Sequence, residues 1–125
     1  MRRIEAVFET LARQDYESLN DLLADDVVLE IIGSPATPMA GLTQGRRQVI
    51  ETTRNNFALV EEQQPEIQSV VAQGNTVVVV AREQGLFRPT GRRYDLHWIH
   101  LYTFEHNKIV KIRELFDSAT MLSLL

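Results

Sequence analysis

The stretch Thr76-Val77-Val78-Val79-Val80-Ala81-Arg82-Glu83-Gln84-Gly85-Leu86-Phe87-Arg88-Pro89-Thr90-Gly91-Arg92-Arg93-Tyr94-Asp95-Leu96-His97-Trp98-Ile99-His100-Leu101-Tyr102-Thr103-Phe104 decides the fold. β-Branched and aromatic residues fill both arms, and Pro89-Thr90-Gly91 interrupts them with turn chemistry. Two strands joined by so short a connection are antiparallel neighbours. Turn signals recur at Gly74-Asn75 and His106-Asn107, so the period of two predicts a meander of four strands near 66–73, 76–88, 92–104 and 108–117. Parity then assigns faces. Val77, Val79, Ala81, Glu83, Gly85 and Phe87 share one face of the second strand with Tyr94, Leu96, Trp98, His100, Tyr102 and Phe104 of the third. Val110, Ile112, Glu114 and Phe116 continue that face on the last strand. A strict two-residue turn at His106-Asn107 would pair Phe104 with Ile109 and bring Lys111, Arg113 and Asp117 inside. The reading therefore requires a β-bulge or a longer loop there.

Outward from the meander, the period is helical. Ile4, Val7, Phe8 and Leu11 recur at helix spacing, and the pattern restarts as Tyr16, Leu19, Leu22 and Leu23, with Asp15 placed to cap the second piece. Val27 to Ile32 is β-rich and ends at Gly33-Ser34-Pro35, which predicts a first strand over 26–32. Pro35 to Gly41 reads as a surface loop. Thr43 is expected to open another helix carrying Val49, Ile50, Phe57 and Val60 on one face, ended by Pro65. Asp117-Ser118 should cap a short helical tail. Helices followed by a curved antiparallel sheet predict an α+β fold, in which a pocket opens between the helices and one sheet face.

Composition narrows the function. The 125 residues suit one domain spanning 1–125, and 44% apolar with 24% charged residues is the balance of a globular chain. With 13 Lys and Arg against 17 Asp and Glu, the formal charge is −4, which argues against nucleic acid as a partner. The absence of cysteine excludes disulfides, thiolate nucleophiles and Cys-based zinc sites. Three scattered histidines predict no metal site, and no glycine-rich phosphate loop or other cofactor motif occurs. The longest apolar run, Val77 to Ala81, is far too short to span a membrane, and the glutamates after Met1-Arg2-Arg3 spoil a signal-peptide core, so a cytoplasmic location is expected. Val78, Val80, Ile99 and Leu101 make the opposite sheet face too apolar for water, which a homodimer through that face would cover.

Pro89-Thr90-Gly91-Arg92-Arg93-Tyr94, Lys108 through Asp117, and Leu22-Leu23-Ala24-Asp25-Asp26 together resemble the nuclear-transport-factor-2-like superfamily. Within it the sequence is similar to SnoaL-like, ketosteroid-isomerase-like and limonene-epoxide-hydrolase-like proteins. The resemblance implies a cone-shaped, cystatin-like α+β fold, a curved antiparallel sheet wrapped around N-terminal helices with an apolar pocket inside. It also implies dimerisation through the outer sheet face. The oxyanion-hole tyrosine, general-base aspartate and protonated aspartic acid of ketosteroid isomerase fall on Val7, Ile31 and His100. The two catalytic aspartates of limonene epoxide hydrolase match Glu83 and Glu114, whereas its bridging arginine matches Ala81. Its water-holding residues fall near Leu29 and Ile31. In SnoaL-type cyclases an acid/base aspartate works with a histidine, positions that Glu114 and His100 take here.

The candidate catalytic residues are therefore Glu83, His100 and Glu114, with Tyr16, Leu29, Ile31, Ala81, Leu96, Trp98, Tyr102, Ile112 and Phe116 lining the pocket. Glu83 and Glu114 lie on strands flanking that of His100, which starts them roughly 10 Å apart at about 4.8 Å per strand. A carboxylate among apolar side chains is desolvated, and a second one nearby opposes double ionisation; both effects suit a group that exchanges protons near neutral pH. This pattern predicts a cofactor-free acid/base enzyme of isomerase, cyclase or hydrolase type, acting on a small hydrophobic carbonyl or epoxide compound. Bland readings stand beside it. Glu83 reads equally as a rim carboxylate paired with Arg88 or Arg113, and His100 as a satisfied interior histidine. The alternative function is a non-catalytic module of the same fold that binds a hydrophobic ligand or dimerises.

Overall fold

A computed structural model of the chain describes residues 2–125, with side chains from Ile4 onward. Met1, which opens the stretch read for a targeting segment, lies outside the described residues. Two helices come first, α1 (Arg2–Ala12) and α2 (Tyr16–Leu22), followed by β1 (Leu23–Ile32), β2 (Gly41–Gln44) and α3 (Arg46–Phe57). The meander is β3 (Val60–Gln73), β4 (Thr76–Phe87), β5 (Arg92–Glu105) and β6 (Lys108–Phe116), and α4 (Ser118–Leu124) closes the chain. Six strands form one curved, unclosed sheet in the order β2-β1-β6-β5-β4-β3. Every pairing is antiparallel except β1 with β6, which is parallel because the whole meander intervenes between them.

The break between α1 and α2 falls at Gln14, whose φ of 54° no helix accommodates. Asp15 restarts the chain as an N-cap: its carboxylate accepts the Ser18 amide at 3.1 Å and the Ser18 hydroxyl at 2.7 Å. Asp117 repeats the device for α4, accepting from the amide and hydroxyl of Thr120 at 3.1 and 2.6 Å. In both acids these hydrogen bonds hold the pKa below its ordinary value.

The required bulge is present. His106 and Asn107 both have positive φ and make a tight turn that pairs Phe104 with Ile109, yet the next pair is Thr103 with Lys111. Val110 is the extra residue. It resets the register so that Tyr102 faces Ile112, His100 faces Glu114 and Trp98 faces Phe116. Were Val110 paired with Thr103 in an unbroken ladder instead, Lys111 and Arg113 would point into the core.

Three expectations need correction. The segment 41–44 is not the start of a helix but the edge strand β2, and α3 begins at Arg46 behind Gly45. Val60 belongs to β3, which starts six residues earlier than the expected 66 and contains Pro65. Proline is tolerated because β3 is the sheet edge, where one face of the ladder needs no N–H donor. The first strand likewise begins at Leu23 rather than 26.

The core lies between the helices and the concave sheet face. Ile4 and Val7 of α1, Leu19 of α2 and Val49 of α3 pack with Leu29, Ile31, Val79, Ala81, Leu96, Tyr102 and Ile112 of the sheet. Each fully buried aliphatic or aromatic side chain contributes roughly 1.5–3 kcal/mol relative to exposure. Phe8 of α1 packs against the sheet aromatics, its ring centroid 6.1 Å from those of both Trp98 and Tyr102. Among the described residues no helix is long and apolar enough to cross a membrane.

Candidate active site

Register fixes what meets inside the cone. One rung across the sheet runs Val79, His100, Glu114, Ile31, and the next runs Ala81, Trp98, Phe116. Glu83 sits one rung further, opposite Leu96. Glu83 and Glu114 are thus staggered along β5 from Leu96 to His100, which adds about 13 Å at roughly 3.3 Å per residue. They do not face each other across two strand spacings as the parity reading supposed. Trp98 spans the interval between them.

His100 lies on the inner face with its side chain 17% exposed. Its ring stacks on Trp98 with centroids 4.0 Å apart and planes 26° from parallel. Its Nδ1 is 3.0 Å from the Tyr102 hydroxyl, and its Nε2 is 3.8 Å from Oε1 of Glu114, whose side chain is 27% exposed. Burial pushes the His100 pKa below its ordinary value, against the pull of Glu114 and Glu83. Burial likewise pushes the Tyr102 phenol well above its ordinary value, and Glu114 adds to the effect. The histidine is therefore neutral and the tyrosine protonated near neutral pH.

Glu83 is held differently. Its Oε2 accepts from the Tyr94 hydroxyl at 2.5 Å and from Gln63 Nε2 at 3.2 Å, and its Oε1 accepts from the Trp98 indole N–H at 3.2 Å. All three donors are neutral, and neither Arg88 nor Arg113 is its partner: those pair with Glu61 and Glu30. Burial, and then the hydrogen bond to Glu83, raise the Tyr94 pKa far above the ordinary phenol range. The Trp98 indole is thereby tied to Glu83 at its N–H and to His100 by its face.

The residues expected to line a pocket form largely one packed surface. Leu29, Ile31, Ala81, Leu96, Trp98, Tyr102 and Ile112 are buried in the core, and Phe116 and Tyr16 pack against it. Tyr16 also lies under the Arg54 guanidinium, 4.9 Å from its ring centroid. Three contributors escaped the sequence reading. Tyr94 shares the parity of Trp98 and His100, which was the available signal. Phe8 stood in the helical pattern without any mark of its reach. Gln63 stands in the stretch expected to belong to the helical region that Pro65 ends, so nothing points to it. Among the described residues no group of three His, Asp or Glu side chains could hold a metal ion.

The structure is similar to a nuclear-transport-factor-2-like protein of unknown function from Burkholderia pseudomallei, with a TM-score of 0.88 and 24% identity over 99% of this chain and 95% of that one. It is similar also to an LEH-like epoxide hydrolase of M. tuberculosis, with a TM-score of 0.77 and 22% identity over 100% and 87% of the two chains. A protein assigned as a SnoaL-like polyketide cyclase from Jannaschia sp. CCS1 has a TM-score of 0.83 and 16% identity over 98% and 90%. Identities this low carry the fold alone. No protein of curated function matches the sequence. The family model of the SnoaL-like domain matches residues 4–112, from α1 to the inward-facing Ile112, and the chain belongs to that family.

Proposed function

We propose that the chain is a cofactor-free acid/base enzyme acting on a small, mostly apolar carbonyl or epoxide compound. The observation that carries this reading is the inward-facing pair His100 and Glu114, set among Trp98, Tyr102 and Ile31 yet partly open to solvent. Glu114, whose carboxylate lies 3.8 Å from Nε2 of the neutral His100 ring, moves the proton. It accepts one from an activated carbon or from water and returns it to the product. His100 orients or polarises the substrate oxygen. Glu83 serves as the second carboxylate by holding Trp98 against His100, both of its oxygens being already hydrogen-bonded. An epoxide hydrolase and a protein assigned as a polyketide cyclase share this fold, so the fold can house such chemistry. Ala81 stands where the resemblance to limonene epoxide hydrolase would place a bridging arginine, which sets this site apart.

The test is turnover of a panel of small apolar epoxides and enolisable ketones by the purified protein. Glu114→Gln should lower any conversion by about 10²–10⁴-fold, the usual share of general acid/base catalysis, while the fold is retained. Undiminished conversion in that variant would remove Glu114 from the mechanism.

A second reading, a binding or dimerisation module, is favoured by the saturation of Glu83 and by Phe8 occupying the cone. It expects panel compounds to bind and to be recovered unchanged. In either case we propose a homodimer through the outer sheet face, where Ile99 and Leu115 lie 39% and 41% exposed beside Val80 and Ile32. Ion pairs Arg82–Asp95 and Arg113–Glu30 flank this apolar strip, a rim that a two-fold copy can share.

A further inference from the structure

Tyr102 and His100 occupy successive inward positions of β5, with the phenol oxygen 3.0 Å from Nδ1. Tyr102 is 1% exposed, and among the described residues Nδ1 is the hydrogen-bond partner of its hydroxyl. Two proton arrangements fit that distance. If His100 carried its proton on Nδ1 and donated to the phenol, the phenol's own hydrogen would be buried with nothing to accept it. If the phenol donates, Nδ1 accepts and the imidazole proton sits on Nε2. The other side of the ring makes the same choice, because Nε2 faces the Glu114 carboxylate at 3.8 Å, where an N–H is favoured over a lone pair.

We propose that Tyr102 is a positioning residue that locks His100 in the neutral Nε2–H tautomer and aims that N–H at the space beside Glu114. The lock is a property of the folded protein, whereas its use rests on the acid/base reading above. In that reading His100 is a hydrogen-bond donor and not a base. A carbonyl or epoxide oxygen accepts from Nε2–H while Glu114 takes the proton from the adjacent carbon or from water. The charged groups acting on His100 are Glu114 from β6 and Glu83 from β4, both acceptors, and the Tyr102 phenol stays protonated beside them. The recognised substrate is thus a neutral oxygen acceptor.

Long-range proton–nitrogen correlation spectra of the uniformly labelled protein test the lock without any substrate. His97 and His106 serve as exposed references, and His100→Gln assigns the signal. The wild type should show a protonated Nε2 and a bare Nδ1 on His100. Tyr102→Phe should give a mixture of tautomers and a higher titration midpoint, because the neutral ring loses a hydrogen bond. An Nδ1–H tautomer in the wild type, or an unchanged tautomer and midpoint in Tyr102→Phe, would overturn the proposal. Should that variant not fold, the wild type still decides: the Tyr102 hydroxyl proton must exchange slowly and show a nuclear Overhauser contact to the His100 ring, and rapid exchange refutes the lock. Loss of the acid/base reading, by full turnover in Glu114→Gln, would leave these spectra unchanged.

Discussion

At Gly85 a missing side chain decides how Glu83 is held. A Cβ there would lie 2.5 Å from the Tyr94 hydroxyl, so glycine alone lets that phenol cross the strand and donate to Glu83. Gly85→Ala should displace Tyr94 and cost about 1–3 kcal/mol in a denaturant titration. Tyr94→Phe, which keeps the ring and removes one donor to a carboxylate, should cost about 1.5–3 kcal/mol, and a cost near zero would show that Glu83 does not depend on it. How much of this was legible follows from where each residue stands. Trp98, His100 and Tyr102 are recoverable by counting in twos along one strand, because parity sets the face, and Glu114 is recoverable once the bulge in the next strand is inferred. The Glu83 arrangement is not, since a hydrogen bond from Gln63 requires knowing that β3 runs past Pro65. Parity also says nothing of stagger, and that is why two carboxylates on one face were placed opposite each other when Trp98 stands between them.

Among the elements, β6 shows most plainly how sequence becomes a site. Its bulge at Val110 absorbs one residue between a tight turn and a regular ladder. Deleting Val110 should leave His100 paired with Glu114 and the fold intact, whereas deleting Arg113 moves Glu114 to the other face and should unfold the protein. Circular dichroism and contacts between the His100 and Glu114 signals distinguish the two. The bulge could be inferred because charged residues would otherwise enter the core. The strand β2 could not, because four residues carry too little periodicity to separate a strand from a helix start. Nor does any local pattern announce the parallel pairing of β1 with β6, which depends on the path of the whole chain. On the outer face, two hydrogen bonds from Arg82, at 2.8 and 2.5 Å, hold the Asp95 carboxyl down to about 2. Folding thus favours the ionised form, so this contribution is complete above about pH 4 and lost as pH falls toward 2. The stability gap between the wild type and Asp95→Asn should narrow over that window.

For the whole molecule, the fold couples an apolar cone to an apolar outer strip through the same strands. Ile99 faces out between His100 and Trp98, which face in, so dimerisation would stiffen the strand that carries the site. Ile99→Lys should give a monomer in sedimentation velocity with the fold retained, and an unchanged sedimentation coefficient would place the interface elsewhere or show that none exists. The cone depends on α1: Phe8→Ala, which removes the ring between Trp98 and Tyr102, should cost about 2–4 kcal/mol, somewhat under the range for a fully buried phenylalanine. The claim on which the rest depends is that His100 is buried beside Glu114 as one working unit. The most direct test is the pH titration of the His100 ring by nuclear magnetic resonance, in the wild type and in Glu114→Gln. A buried imidazole beside a carboxylate should titrate below the ordinary value of 6.5, and lower still once Glu114 loses its charge. A midpoint at the ordinary value that Glu114→Gln leaves unmoved would contradict the account.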